Sequence, residues 1–170
     1  MVSVWEVIRE ISTHTNEELT VLLAIGPKGC SFQRLRYKVP IVASLVRSFC
    51  KIDLANMDIT DAEALAGTLA EVLSDTKNST LWEHEGKHCK LTPLGLGVYD
   101  YLLSLMVRIS GKSVPRFIDL LNRAEISSSK LQLLADWIVK ARSVEFIDAK
   151  DPVLVVDGKE VRLLGGGGSE

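Results

Sequence analysis

The sequence predicts a mainly α protein with small β-hairpins, an α+β fold, and three observations carry that expectation. Capping signals recur just ahead of apolar residues at helical spacing: Ser3 with Glu6, Thr15 with Glu18, Thr60 with Glu63, and Thr92 with Pro93. Asp157-Gly158 stands between two short β-branched runs and supplies the positive φ angles of a type I′ hairpin turn. Glu85-Gly86 marks a second hairpin more weakly. A chain of 170 residues that is 46% hydrophobic holds one substantial core or two small ones, too little for a large multidomain enzyme.

Val4, Val7, Ile8 and Ile11 form the stripe of a first helix, with Trp5 at its edge. A second helix follows Thr15, with Leu19, Leu22, Leu23 and Ile25 inward, and Gly26-Pro27 stops it. Ser31 caps a short helix carrying Phe32 and Leu35 inward and Gln33, Arg34 and Arg36 outward. Pro40 lacks an N–H and is expected to break that helix before another begins at Ile41. From Ile41 to Lys51 the apolar Ile41, Val42, Leu45, Val46 and Phe49 take one side, and Ser44, Arg47, Ser48 and Lys51 the other.

An alanine-rich helix follows Thr60, with Leu65, Leu69, Val72 and Leu73 inward and its acidic residues outward. Thr80 to Leu91 reads as two strands around Glu85-Gly86 that place Trp82, Cys89 and Leu91 on one face. After Thr92-Pro93 comes a long apolar helix ending at Gly111. Two amphipathic helices then start near Ser113 and Ser127, followed by a possible strand at Val144 to Ile147 and the Asp157-Gly158 hairpin. The tail Gly165 to Ser169 has the composition of a flexible linker, so residues 165–170 are read as a linker or tag remnant.

Charge is sorted along the chain. Between Glu18 and Asp53 lie Lys28, Arg34, Arg36, Lys38, Arg47 and Lys51 with no acidic residue. From Asp53 to Asp75 lie Asp53, Asp58, Asp61, Glu63, Glu71 and Asp75 with no basic one, in a chain of net charge −2. The basic block, set on two short helices around a turn, points to a polyanion such as DNA. No apolar run is long enough for a membrane span, and the amino-terminal residues have helical periodicity in place of a signal peptide, so an intracellular, cytoplasmic protein without a membrane partner is expected. Cys30, Cys50 and Cys89, odd in number and widely spaced, make no disulfide framework and read as small buried thiols.

Residues 16–106, in the order helix, helix, turn, helix, hairpin, long helix, resemble the winged helix-turn-helix family. The most specific match is the stretch from Trp82 to Gly95, where a strand runs into Leu91-Thr92-Pro93-Leu94-Gly95 and a helix. Ser31 to Arg36 is similar to the helix that precedes the recognition helix. The resemblance implies a winged-helix-like domain over residues 1–110 with an inserted acidic helix at about 58–75, and a helical and β-hairpin extension over 111–164. It also implies a double-stranded DNA-binding transcriptional regulator that needs no cofactor and dimerises, or recruits a protein partner, through that extension. Arg34, Arg36, Lys38 and Lys87 would then contact phosphate, while Ser44, Arg47 and Ser48, with Lys51 nearby, would lie on the major-groove helix. The acidic helix departs from the family pattern. If it held the recognition position, phosphate repulsion would favour a protein-interaction winged-helix module in a larger assembly.

His84-Glu85-Gly86-Lys87-His88 matches the HExxH pattern, in which a helix sets two histidines on zinc and the glutamate acts as general base. A small zinc metallopeptidase is therefore a further alternative. Against it stand Gly86 and Lys87 at the variable positions, Pro93 close behind, and a hairpin reading that points His84 and His88 to opposite faces. No catalytic residue, metal site or enzyme activity is expected.

Overall fold

The computed structural model describes residues 2–14, 16–50, 80–124 and 126–163, without the side chains of 16, 17, 47–50 and 110. Among them the fold is mainly α, with two small antiparallel sheets. Helix α1 (Val4–Thr13) starts where predicted, with the Glu6 amide donating to Ser3 Oγ at 3.2 Å. Helix α2 (Asn16–Ile25) ends at Gly26, whose φ of +73° only glycine adopts cheaply. The cap assigned to Thr15 lies outside the described residues, as does the whole acidic helix assigned to 58–75.

Strand β1 (Cys30–Ser31) was not legible in the sequence, since two residues carry no periodicity. Helix α3 (Phe32–Cys50) corrects the main expectation. It runs unbroken through Pro40, so the two short helices around a turn are one helix. An interior proline forfeits one backbone hydrogen bond and costs ~3 kcal/mol. Here the carbonyl left without its bond is that of the exposed Arg36, and the next turn and a half, Ile41 to Val46, is buried. Burial of that length of apolar helix offsets the cost.

Strands β2 (Trp82–Glu85) and β3 (His88–Leu91) form the expected hairpin, and β1 adds to it in the order β1-β3-β2. Its loop is Gly86-Lys87, one residue later than the sequence reading, with Glu85 opposite His88 and Trp82 opposite Leu91. Gly86 has φ +60° and Lys87 is not left-handed, the sign pattern of a type II′ turn. Moving the loop by one residue moves the pairing by two, so Trp82, Cys89 and Leu91 still share the buried face.

Helix α4 (Pro93–Ser110) begins at Thr92, whose Oγ1 accepts from the Gly95 amide at 3.1 Å. Helices α5 (Ser113–Arg123) and α6 (Ser128–Lys140) follow, then β4 (Val144–Ile147), β5 (Val153–Val156) and β6 (Lys159–Arg162) as an antiparallel meander in that order. Asp157 and Gly158 have φ +49° and +84°, the two positive angles expected of that turn. The stretch after 111 is part of the main core. Helix α3 packs against α2, α4, α5 and α6, and Phe117, Ile118, Leu131, Leu134 and Ile138 join the same buried cluster as Leu22, Leu35 and Leu45.

Candidate interaction surfaces

Among the described residues of the basic block, Lys38 does not reach the surface. Arg34 is half-buried in the first turn of α3, where its amide donates to Ser31 Oγ at 3.3 Å. Arg36 is exposed, its guanidinium carbon 6.0 Å from the Tyr37 ring centroid. Lys28 is exposed and its Nζ donates to the Arg123 carbonyl at 2.9 Å, which ties the loop after α2 to the end of α5. Lys87 is exposed in the loop of the β2–β3 hairpin.

Lys38 and Ser44 are corrections. Both were expected on a DNA-facing surface, and both are 3% exposed. Helix α3 is buried on every side between Lys38 and Val46, packed among α2, α4, α5 and α6, and a serine is small enough to be enclosed there. Its Oγ has no hydrogen-bond partner among the described residues. Arg47 and Ser48 lie on the last turn of α3 with their side chains outside the description, and Lys51 lies beyond the described residues. The expected major-groove helix is thus the central helix of the core over most of its length.

Burial also alters the chemistry at the start of α3. Desolvation pulls the Lys38 ammonium down to about 8, against the neighbouring Cys30, which hydrogen-bonds it and acts the other way. Burial likewise pushes the Cys30 thiol up, partly opposed by Lys38 and Arg34, and pushes Cys89 up to about 12.

The HExxH residues form a strand, a turn and a strand. His84 stands opposite Cys89 and His88 opposite Glu85 at the next position of the ladder, so the two histidines project from opposite faces of the hairpin. The helical arrangement that brings both to one zinc ion is not built. The hairpin carries Glu83 and Glu85 beside Lys87 and Lys90, all exposed, so its formal charges balance.

Helix α1 carries an apolar surface that its neighbours leave partly uncovered. Val7 packs against Gly97 of α4, and Ile11 is half-buried, but the other edge of the apolar arc is open. Trp5 is 77% exposed, Val4 62% and Ile8 38%. The sequence signal was Trp5 at the margin of the stripe, a position that placed it equally well inside or outside. Trp82 is fully buried and Trp137 half-buried, with Lys159 Nζ 5.3 Å from its ring centroid. Among the described residues no helix is long and apolar enough to cross a membrane. No protein-family model, no curated protein and no solved structure matches this chain.

Proposed function

We propose that the chain is a protein-interaction module with a winged-helix-like core, and that α1 presents the contact. The observation that carries this reading is the run of Trp5, Val4 and Ile8 left open to solvent on a helix whose opposite edge is already packed. Contiguous exposed apolar surface around an aromatic side chain is the signature of a protein contact, since tryptophan buries a large area and is enriched among the residues that dominate binding. The partner fitted to it is an apolar helix face, and a second copy of the chain is the form most simply measured.

A duplex DNA-binding regulator is the second reading, and two observations favour it. The strand order β1-β3-β2 sets a basic-loop hairpin beside the start of α3, and Arg36 and Lys87 are exposed. The enclosed α3 and the charge-balanced hairpin weigh against it, as does the acidic run that follows α3 in sequence.

Sedimentation velocity over a range of concentrations, at low and high salt, tests the first reading. Expected is self-association that Trp5→Ala abolishes and that salt hardly weakens, because the contact is apolar. A monomer at every concentration would sink the second-copy form. Fluorescence anisotropy with random duplex DNA tests the other reading: a steep salt dependence, reduced by Arg36→Ala and Lys87→Ala together, would favour DNA over protein.

A further inference from the structure

Two thiols meet across the small sheet at the root of the hairpin. Cys30 and Cys89 are direct partners in the antiparallel β1–β3 pair, and both are buried on its inner face. The Phe32 amide donates to the Lys87 carbonyl at 2.9 Å, and alternation along the ladder then makes Cys30 and Cys89 a hydrogen-bonded pair. Such pairs hold their Cα atoms ~5.5 Å apart, inside the span of about 4.4–6.8 Å that a disulfide bridges, while their Cβ atoms, ~5 Å apart, must draw in by ~1 Å for the bond to close.

Each sulfur also has a basic nitrogen beside it. Lys38 is hydrogen-bonded to Cys30, with Arg34 near enough to act on the same thiol. Cys89 Sγ lies 3.9 Å from Nδ1 of His84, and His84 reaches solvent at the rim of the hairpin with its ring edge-on to Phe32, centroids 5.2 Å apart.

We propose that Cys30 and Cys89 are a peroxide-oxidisable dithiol that closes reversibly into a disulfide linking β1 to β3. Cys30 is the attacking thiol, because Lys38 and Arg34 offset part of the burial that pushes it up, whereas nothing offsets the rise at Cys89. It displaces hydroxide from hydrogen peroxide and becomes a sulfenic acid. Cys89 then passes its proton to His84 and attacks the Cys30 sulfur, and water leaves. In sum two thiols and one peroxide give one disulfide and two waters, and a dithiol reductant reverses the change. The Cys30 Sγ, which now donates to the Ser31 carbonyl at 3.3 Å, turns toward β3 to form the bond. The disulfide fastens the hairpin to the strand that leads into α3.

The test uses the full chain carrying Cys50→Ser, treated with hydrogen peroxide in native buffer, then alkylated in denaturant and weighed. The expected product has lost about 2 Da, has no alkylatable thiol, yields a Cys30–Cys89 cross-linked peptide on digestion and regains both thiols with dithiothreitol. Cys89→Ser in the same background should stop at a sulfenic acid on Cys30 that dimedone captures. Two thiols that stay alkylatable under conditions that oxidise the urea-unfolded chain would overturn the proposal. So would oxygen added to either cysteine of the Cys50→Ser protein without a cross-link.

Discussion

Asn122 Nδ2 donates to the Tyr99 hydroxyl at 3.0 Å, and the same nitrogen donates to the Leu23 carbonyl at 2.8 Å. Tyr99 in turn donates to Asp119 Oδ1 at 3.2 Å, and Asp119 is held by Arg123 Nε at 2.8 Å. Leu23 belongs to the last turn of α2, whose carbonyls lack intrahelical donors. One buried amide on α5 thus caps α2 and anchors α4. Burial also pushes the Tyr99 hydroxyl well above its ordinary value, so it stays protonated and able to donate.

Asn122→Ala should therefore cost ~2–3 kcal/mol, because it leaves the Leu23 carbonyl and the Tyr99 hydroxyl short of a partner out of reach of water. Urea denaturation followed by circular dichroism measures it. A loss under half a kcal/mol would mean that water replaces the amide.

At the hairpin-to-helix junction, Leu81 sets the identity of residue 95. Its carbonyl accepts from the Thr92 amide at 2.9 Å, and a Cβ on Gly95 would overlap that carbonyl. Gly95→Ala must push β2 away from α4 and should destabilise the fold by ~1–3 kcal/mol or more, despite alanine's better helix propensity. Gly86→Ala serves as the comparison: open space surrounds that position, and only its φ of +60° is at stake, so a cost near 1 kcal/mol is expected. Equal midpoints for the two variants would contradict the close approach at Leu81.

Lys38 makes a prediction about pH. Its folded-state value of about 8 lies below the ordinary 10.5, so the unfolded chain holds the proton more tightly. The group's unfavourable contribution is complete below pH ~8 and fades as pH rises from there toward 10.5. Lys38→Met should thus be more stable than the wild type near neutral pH, by on the order of 2 kcal/mol, with the gap narrowing by pH 10. Cys89 acts in the opposite sense above pH 9 in both proteins alike, while Cys30, which Lys38 partly holds down, is pushed up further in the variant. Denaturant midpoints for the pair across pH 6 to 10 read the difference directly, and a constant gap would show that Lys38 keeps its proton.

Much of the fold was legible because the signals were local. Ser3, Ser31, Thr92 and Ser127 each accept an amide hydrogen bond at a helix start, and Gly111 closes α4, because a cap involves only residues within one turn. Asp157-Gly158 turned where its backbone preferences said. The charge pattern misled for a related reason: it is a one-dimensional sum, and Lys28, Arg36 and Lys38 leave α2 and α3 toward an α5 carbonyl, a neighbouring ring and a buried thiol respectively.

The sequence by itself determined the helix starts at Ser3, Ser31, Thr92 and Ser127, the hairpin turn at Asp157-Gly158 and which strand faces are apolar, since those follow from backbone torsions and hydrogen bonds among near neighbours. Only the tertiary structure decided that α3 passes through Pro40 and that Ser44 is enclosed. It also set Cys30 against Cys89, 59 positions apart in the chain. Burial depends on what a distant segment brings to the other side of a helix, and periodicity within the helix holds no record of that neighbour.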